Sequence, residues 1–186
     1  MGAIRINLNP AILLCLALAL PASAQENGAE RLDSMYEALQ TAEPEEARRI
    51  GREIRLELSK SGSPAMNLLL KRGRDAMSAN DMGLAIEILS ALTDHAPEFA
   101  EGWHARSVAF ARAGMPGAAI GDLERALALD PRNFAAIYSL GALLEQIGQP
   151  VLALEAYGRV AEIHPHFDDT EANIARISAD TRGADL

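Results

Sequence analysis

Three series of residues recur at a fixed step of 34: Pro97, Pro131 and Pro165; Ala85, Ala119 and Ala153; and the small residues Gly73, Ser107 and Gly141. With a proline background of about 5%, two further prolines in register with Pro97 arise by chance about once in 400 trials. A period of this length requires stacked supersecondary units, none able to bury its apolar face alone. The units are residues 66–99, 100–133 and 134–167, contiguous and without insertions.

Each unit reads as two helices joined by a tight turn. In the first, Ser63 is placed to cap a helix opened by Pro64 and running to about Ala79, and Asn80-Asp81 turns the chain into a second helix from Met82 to about Thr93. In the second, a helix over 100–113 stops at Gly114 and Pro116 opens its partner, which ends before Asp130-Pro131. In the third, Asn133 caps a helix over 134–147, Gly148 ends it, and Pro150 starts the last partner. Glycine just past a helix and proline just inside the next is the order backbone sterics favour.

This arrangement resembles the tetratricopeptide repeat family over about 102 of the 186 residues. The pairs Gly73 and Ala85, Ser107 and Ala119, and Gly141 and Ala153 stand where that family places small residues for close helix contact. Leu89, Leu123 and Tyr157, with Leu92, Ala126 and Val160, match its apolar positions on the second helix. Trp103, Phe110, Ile137 and Leu144 match those on the first; Ser107 in place of glycine and Leu69 in place of an aromatic are the departures. The resemblance implies an all-α solenoid of antiparallel helix pairs with capping helices at both ends.

The flanks support that expectation. Residues 25–63 hold two helical stretches outside the repeat register, one with Leu32, Met35, Tyr36 and Leu39 on a single face and one with Ile50, Ile54 and Leu58 on a stripe. This degenerate hairpin is expected to cover the first repeat, as terminal units of solenoids do. Residues 168–186 are expected to hold a closing helix, running from about Phe167 to Thr181 with Ile174 and Ile177 inward, and a frayed tail. Asp168 and Asp169 then fall in its first turn, suited to the helix dipole.

Residues 1–24 carry one basic residue, Arg5, an apolar run over 11–20, and Pro21-Ala22-Ser23-Ala24. They read as a secretory signal peptide cut after Ala24, the run being too short for a membrane-spanning helix of about 20 residues. The expected location is the bacterial periplasm, with no stable membrane anchor after cleavage. Cys15, the only cysteine, lies inside this leader, so the mature chain offers neither a disulfide nor a thiol nucleophile. The net charge of −9 becomes one unit more negative when Arg5 leaves, which disfavours nucleic acid as a partner.

No catalytic constellation stands out. No serine sits in a nucleophile elbow, and His164 and His166 flank Pro165 without the further ligands a metal requires. No enzyme activity, cofactor or metal is expected. What remains is a surface. In the family the first helix of each repeat lines a concave groove that holds a peptide or partner helix. Carried over by position, the first repeat presents Asn67, Leu70, Lys71, Arg74, Met77 and Ser78. The second presents Glu101, His104, Ala105, Val108, Ala111 and Arg112, and the third Ala135, Tyr138, Ser139, Ala142, Glu145 and Gln146. The lysine and asparagine set of the family's clamp for a C-terminal carboxylate is not matched. Lys71, Arg74, His104 and Arg112 are nevertheless expected to draw an acidic segment of a protein partner into the early groove, with Tyr138 as a flat contact. The implied function is a non-enzymatic adaptor or scaffold. Its alternatives are a periplasmic chaperone or assembly factor holding clients, and an enzyme or small-molecule binder, which needs a deep pocket with perturbed titratable groups.

Overall fold

The computed structural model describes residues 22–184, and side chains within 28–181. The signal-peptide reading falls on residues 1–24, of which 1–21 lie outside the described residues, and the first helix begins at Ala22. Among the described residues the order is α1 (Ala22–Thr41), α2 (Pro44–Leu58), α3 (Pro64–Ser78), α4 (Met82–His95), α5 (Ala100–Arg112), α6 (Pro116–Leu129), α7 (Phe134–Gln146), α8 (Pro150–Ile163) and α9 (Thr170–Ala184), with no strand.

The first turn of each repeat is the same hydrogen-bonded device. Asn80, Gly114 and Gly148, again 34 apart, adopt the left-handed region at φ 60°, 75° and 75°. The amide after each returns to the helix, from Asp81 to the Ala76 carbonyl, Met115 to Phe110 and Gln149 to Leu144, all at 2.9 Å. That is the Schellman closure, and it reverses the chain within a few residues. Asp81 then caps α4, accepting from the Leu84 amide at 3.0 Å, and Asn133 caps α7, accepting from the Ala136 amide at 3.0 Å. Ser63 makes no side-chain cap bond to α3; the turn before that helix is held instead by Asn67, whose Oδ1 accepts from the Ser61 amide at 2.8 Å.

Small residues set how closely each pair packs. A Cβ on Gly73 would lie 2.5 Å from Leu89 Cγ, and one on Gly141 3.0 Å from Tyr157 Cε1, so α3 meets α4 and α7 meets α8 through backbone. Ala85, Ala119 and Ala153 are fully buried. Pro97, Pro131 and Pro165 lie in the loops between repeats or before α9. The Pro97 carbonyl accepts from Trp103 Nε1 at 2.9 Å. Arg106 of α5 clamps buried Asp122 of α6 through Nε and Nη2 at 2.7 and 2.8 Å and reaches Thr93 Oγ1 of the preceding repeat at 2.9 Å. Such a two-pronged pair fixes orientation as well as charge.

The N-terminal hairpin does not cover the first repeat. Its buried residues Tyr36, Leu39, Ala47, Ile50 and Ile54 form one apolar cluster with Phe134 and Ile137 of α7, Ala156 and Val160 of α8, and Phe167. The first repeat has a separate core, around Leu70, Leu89 and Leu92, that the hairpin does not enter. The reason is chemical fit: the third repeat concentrates Phe134, His164 and Phe167, with ring centres 4.9–5.3 Å apart, into a surface that a flat helix face can cover. Gly51 lets α2 approach it, since a Cβ there would lie 2.7 Å from His164 Nε2. Outside the apolar contact, Arg132 lies 4.4 Å over the Tyr36 ring and pairs with Asp33 at 2.6 Å.

At the other end α9 packs Ile174 and Ile177 against Ala153 and Tyr157, as expected of a closing helix. It begins at Thr170, not near Phe167, because Asp168 turns the chain at φ 40° and Phe167 is drawn into the aromatic cluster. Asp168 and Asp169 therefore precede the helix, the Asp169 carbonyl accepting from the Asn173 amide at 2.9 Å. The Gly51 contact is directly checkable: Gly51→Leu should cost about 1–3 kcal/mol. Limited proteolysis should then cut residues 28–60 first while circular dichroism still reports folded repeats.

Candidate functional site

The concave side is formed by α3, α5 and α7, whose equivalent positions step by 34 residues. The hairpin docks over the N-terminal halves of α5 and α7. Ala135 and Tyr138 pack beside the hairpin cluster, and α2 contributes Arg52, Arg55, Leu56, Leu58 and Ser59 to a cleft faced by Arg74, Glu101, His104, Asn133 and Ala135. This cleft encloses about 450 Å³ and is open to solvent. A second lobe of about 150 Å³ adjoins it, sharing Arg52 and Arg55 and adding Arg48, Gly51, His164, His166, Phe167 and Asp168.

The C-terminal halves of α5 and α7 stay open. Ser107, Val108, Ala111 and Arg112 of α5 face Ser139, Ala142, Leu143 and Gln146 of α7 across a trough of about 180 Å³, floored by Leu123. Small side chains predominate there, so an extended backbone can come close to the helices.

The residues expected to form the groove are therefore distributed differently. Arg112 and Ser139 do line the open trough. Arg74 and His104 line the hairpin cleft. Asn67 is occupied by Ser61, Leu70 is 2% exposed and belongs to the first repeat's core, and Tyr138 lies between the rings of Tyr157 and Phe167 while its hydroxyl accepts from Asn173 Nδ2 at 3.2 Å. Glu145 pairs with Arg176 of α9 at 2.7 Å. Leu70, Tyr138 and Glu145 are thus not free groove contacts; the packing of neighbouring elements claims them.

The expected cation cluster is dissolved by in-chain partners. Lys71 pairs with Asp75 on its own helix at 2.6 Å, and Arg112 reaches Asn80 Oδ1 at 3.4 Å. Arg74 pairs with Glu101 and donates to Ser59 Oγ at 3.1 Å, tying α3 to α5 and to the end of α2. His104 presents Nδ1 to Glu101 at 3.2 Å and Nε2 to Ser139 Oγ at 3.1 Å. Glu101 is the centre of this network and is only 8% exposed. Burial alone would raise its carboxyl, but His104, Arg74 and Asn133 together hold it below the usual carboxylate range.

Two further arginines without an ion pair lie in the hairpin cleft. Among the described residues Arg52 and Arg55 make no ion pair and no side-chain hydrogen bond, and both point into the cleft. The sequence offered one signal for them: Arg48, Arg52 and Arg55 are spaced 4 and 3 apart, one face of a helix whose opposite stripe is apolar.

The structure defines a solenoid of paired helices with a concave surface, partly closed by its own N-terminal hairpin. The profile for the tetratricopeptide repeat matches residues 123–155. A TPR repeat-containing protein of Rhizobium etli is 31% identical over 144 residues, covering 77% of this chain and 71% of that protein. The chain belongs to the tetratricopeptide repeat family. Among solved structures, MamA superposes with a TM-score of 0.60 at 22% identity, over 88% of this chain and 86% of that one. The first TPR domain of RPAP3 bound to an HSP90 peptide gives 0.61 at 21% identity, over 63% and 93%. Both share the fold.

His164, buried beneath Gly51, makes the hairpin contact sensitive to acid. Burial pushes it down to about 4, and His166 and Arg55 act in the same direction. Its Nδ1 has no hydrogen-bonding partner among the described residues, so a proton gained there finds no acceptor. A histidine whose folded value is depressed below about 6.5 binds its proton more readily in the unfolded chain. Its contribution to stability is complete above about pH 6.5 and is lost as the pH falls towards 4. Melting temperature should therefore drop between pH 7 and pH 5, and His164→Gln should flatten that dependence.

Proposed function

We propose that this protein is a non-enzymatic adaptor that holds an extended segment of a protein partner in the open trough between α5 and α7. The observation that carries it is the trough itself, where Val108, Ala111 and Ala142 leave backbone-sized space between polar groups at Arg112, Ser139 and Gln146. Family membership supports it, because these repeats stack to present a concave interaction surface. The RPAP3 domain, similar in fold, is described in complex with a peptide. The leader-like pattern of residues 1–24 supports an envelope location, on the periplasmic side, as part of this proposal. Nucleic acid, metal and cofactor have no part in this reading.

A photo-crosslinking amino acid at Ala142, irradiated in cells, should give one or two discrete adducts, and Ala111→Trp should abolish them by filling the trough. The same probe at Glu124, exposed on α6 outside the trough, should give none. Identical adducts from both positions, or none from Ala142, contradict the adaptor. A ladder of many unrelated adducts replaces it with the chaperone alternative.

A further inference from the structure

The hairpin does more than occupy the concave side, because it brings cations with it. The cleft and its second lobe are lined by Arg48, Arg52, Arg55 and Arg74 against two carboxylates, Glu101 and Asp168. Glu101 is matched by Arg74 and His104, and Arg48 by Glu45 at 2.6 Å. Arg52 and Arg55 make no ion pair among the described residues and face only the Asp168 carboxylate of the second lobe, which leaves the site one positive charge in excess in a chain of net charge −9. Beside them Leu56 stands 65% exposed, the most exposed large apolar side chain among the described residues, and it lines the same cleft. The cleft also abuts the trough: His104 belongs to one, Ser139 to the other, and their side chains meet at 3.1 Å.

Unpaired guanidinium groups in a concave, partly apolar site focus positive potential and favour bidentate carboxylate recognition. An open site of about 450 Å³ that continues into a trough fits a length of chain better than a small isolated anion. We propose that Arg52 and Arg55 of the N-terminal hairpin form a receptor for acidic side chains, so that the partner segment lying in the trough carries a carboxylate-rich stretch with an apolar residue against Leu56. This rests on the adaptor reading and adds to it the chemistry of the partner. It also gives the hairpin a binding role that the repeats alone do not supply.

The test uses purified protein and fluorescein-labelled hexaglutamate, with hexaglutamine and a single-stranded DNA oligonucleotide as alternative probes, read by anisotropy. Hexaglutamate should bind in preference to both, and more weakly as salt is raised. The pair Arg52→Gln/Arg55→Gln should lose at least about tenfold in affinity, and Arg52→Glu/Arg55→Glu more. Lys71→Glu, at a lysine already held by Asp75 outside the cleft, should change it by less than about twofold. Unchanged circular dichroism and melting of the glutamine pair confirm that the fold is intact. Equal hexaglutamate binding by wild type and both pairs, no hexaglutamate binding, or preference for the oligonucleotide overturns the proposal. The two readings separate cleanly: loss of the Ala142 adducts with arginine-dependent hexaglutamate binding retained removes the trough alone. Adducts retained without hexaglutamate binding remove the acidic receptor alone.

Discussion

The seating of α2 on the third repeat is the contact from which the rest of the molecule takes its working shape. Three tetratricopeptide repeats by themselves make a curved stack with an uninterrupted inner wall. Here Ile50 and Ile54 bury themselves against Phe134, Ile137 and Val160, and Gly51 removes the one Cβ that would strike His164. A hairpin of this length could not stay folded alone, since isolated short helices are marginal in water. Its stability is borrowed from the aromatic surface that it covers.

Two consequences follow from that seating. The inner wall is divided, the N-terminal halves of α5 and α7 roofed by the hairpin and their C-terminal halves left as a trough with small side chains. The charge of the inner wall is also reassigned. Glu101 holds Arg74 and His104 in a network that joins α3, α5 and α7, while the hairpin supplies Arg52 and Arg55, which make no ion pair among the described residues. The segment that covers this surface adds two arginines to it, Arg52 and Arg55.

How much of this was legible in the sequence depends on whether the signal is local. The repeats were, because Pro97, Ala85 and Gly73 recur at a fixed step and each marks a turn or a close contact within one unit. The left-handed turn at Asn80, Gly114 and Gly148 obeyed the same step. The hairpin's helices were legible as well, from the stripe of Ile50, Ile54 and Leu58. Its destination was not, since an apolar stripe states only that something covers it. The information lay far away, in the aromatic residues Phe134 and Phe167 and in a glycine in mid-helix. The groove residues failed for the same reason: Tyr138 and Glu145 occupy groove positions by register, but α9 and Phe167 reach them first. Register assigns a position to a face and does not say which neighbour takes it.

The seating of the hairpin can be measured without reference to any ligand. With Cys15 replaced by serine, cysteines placed at Arg48 and His166 face one another across the small lobe beneath α2. A short bis-maleimide should join them rapidly and within one molecule, whereas a control pair at Arg48 and Ser78 should react slowly. Equal rates for the two pairs would mean that α2 does not rest on the third repeat, and the divided inner wall would not exist.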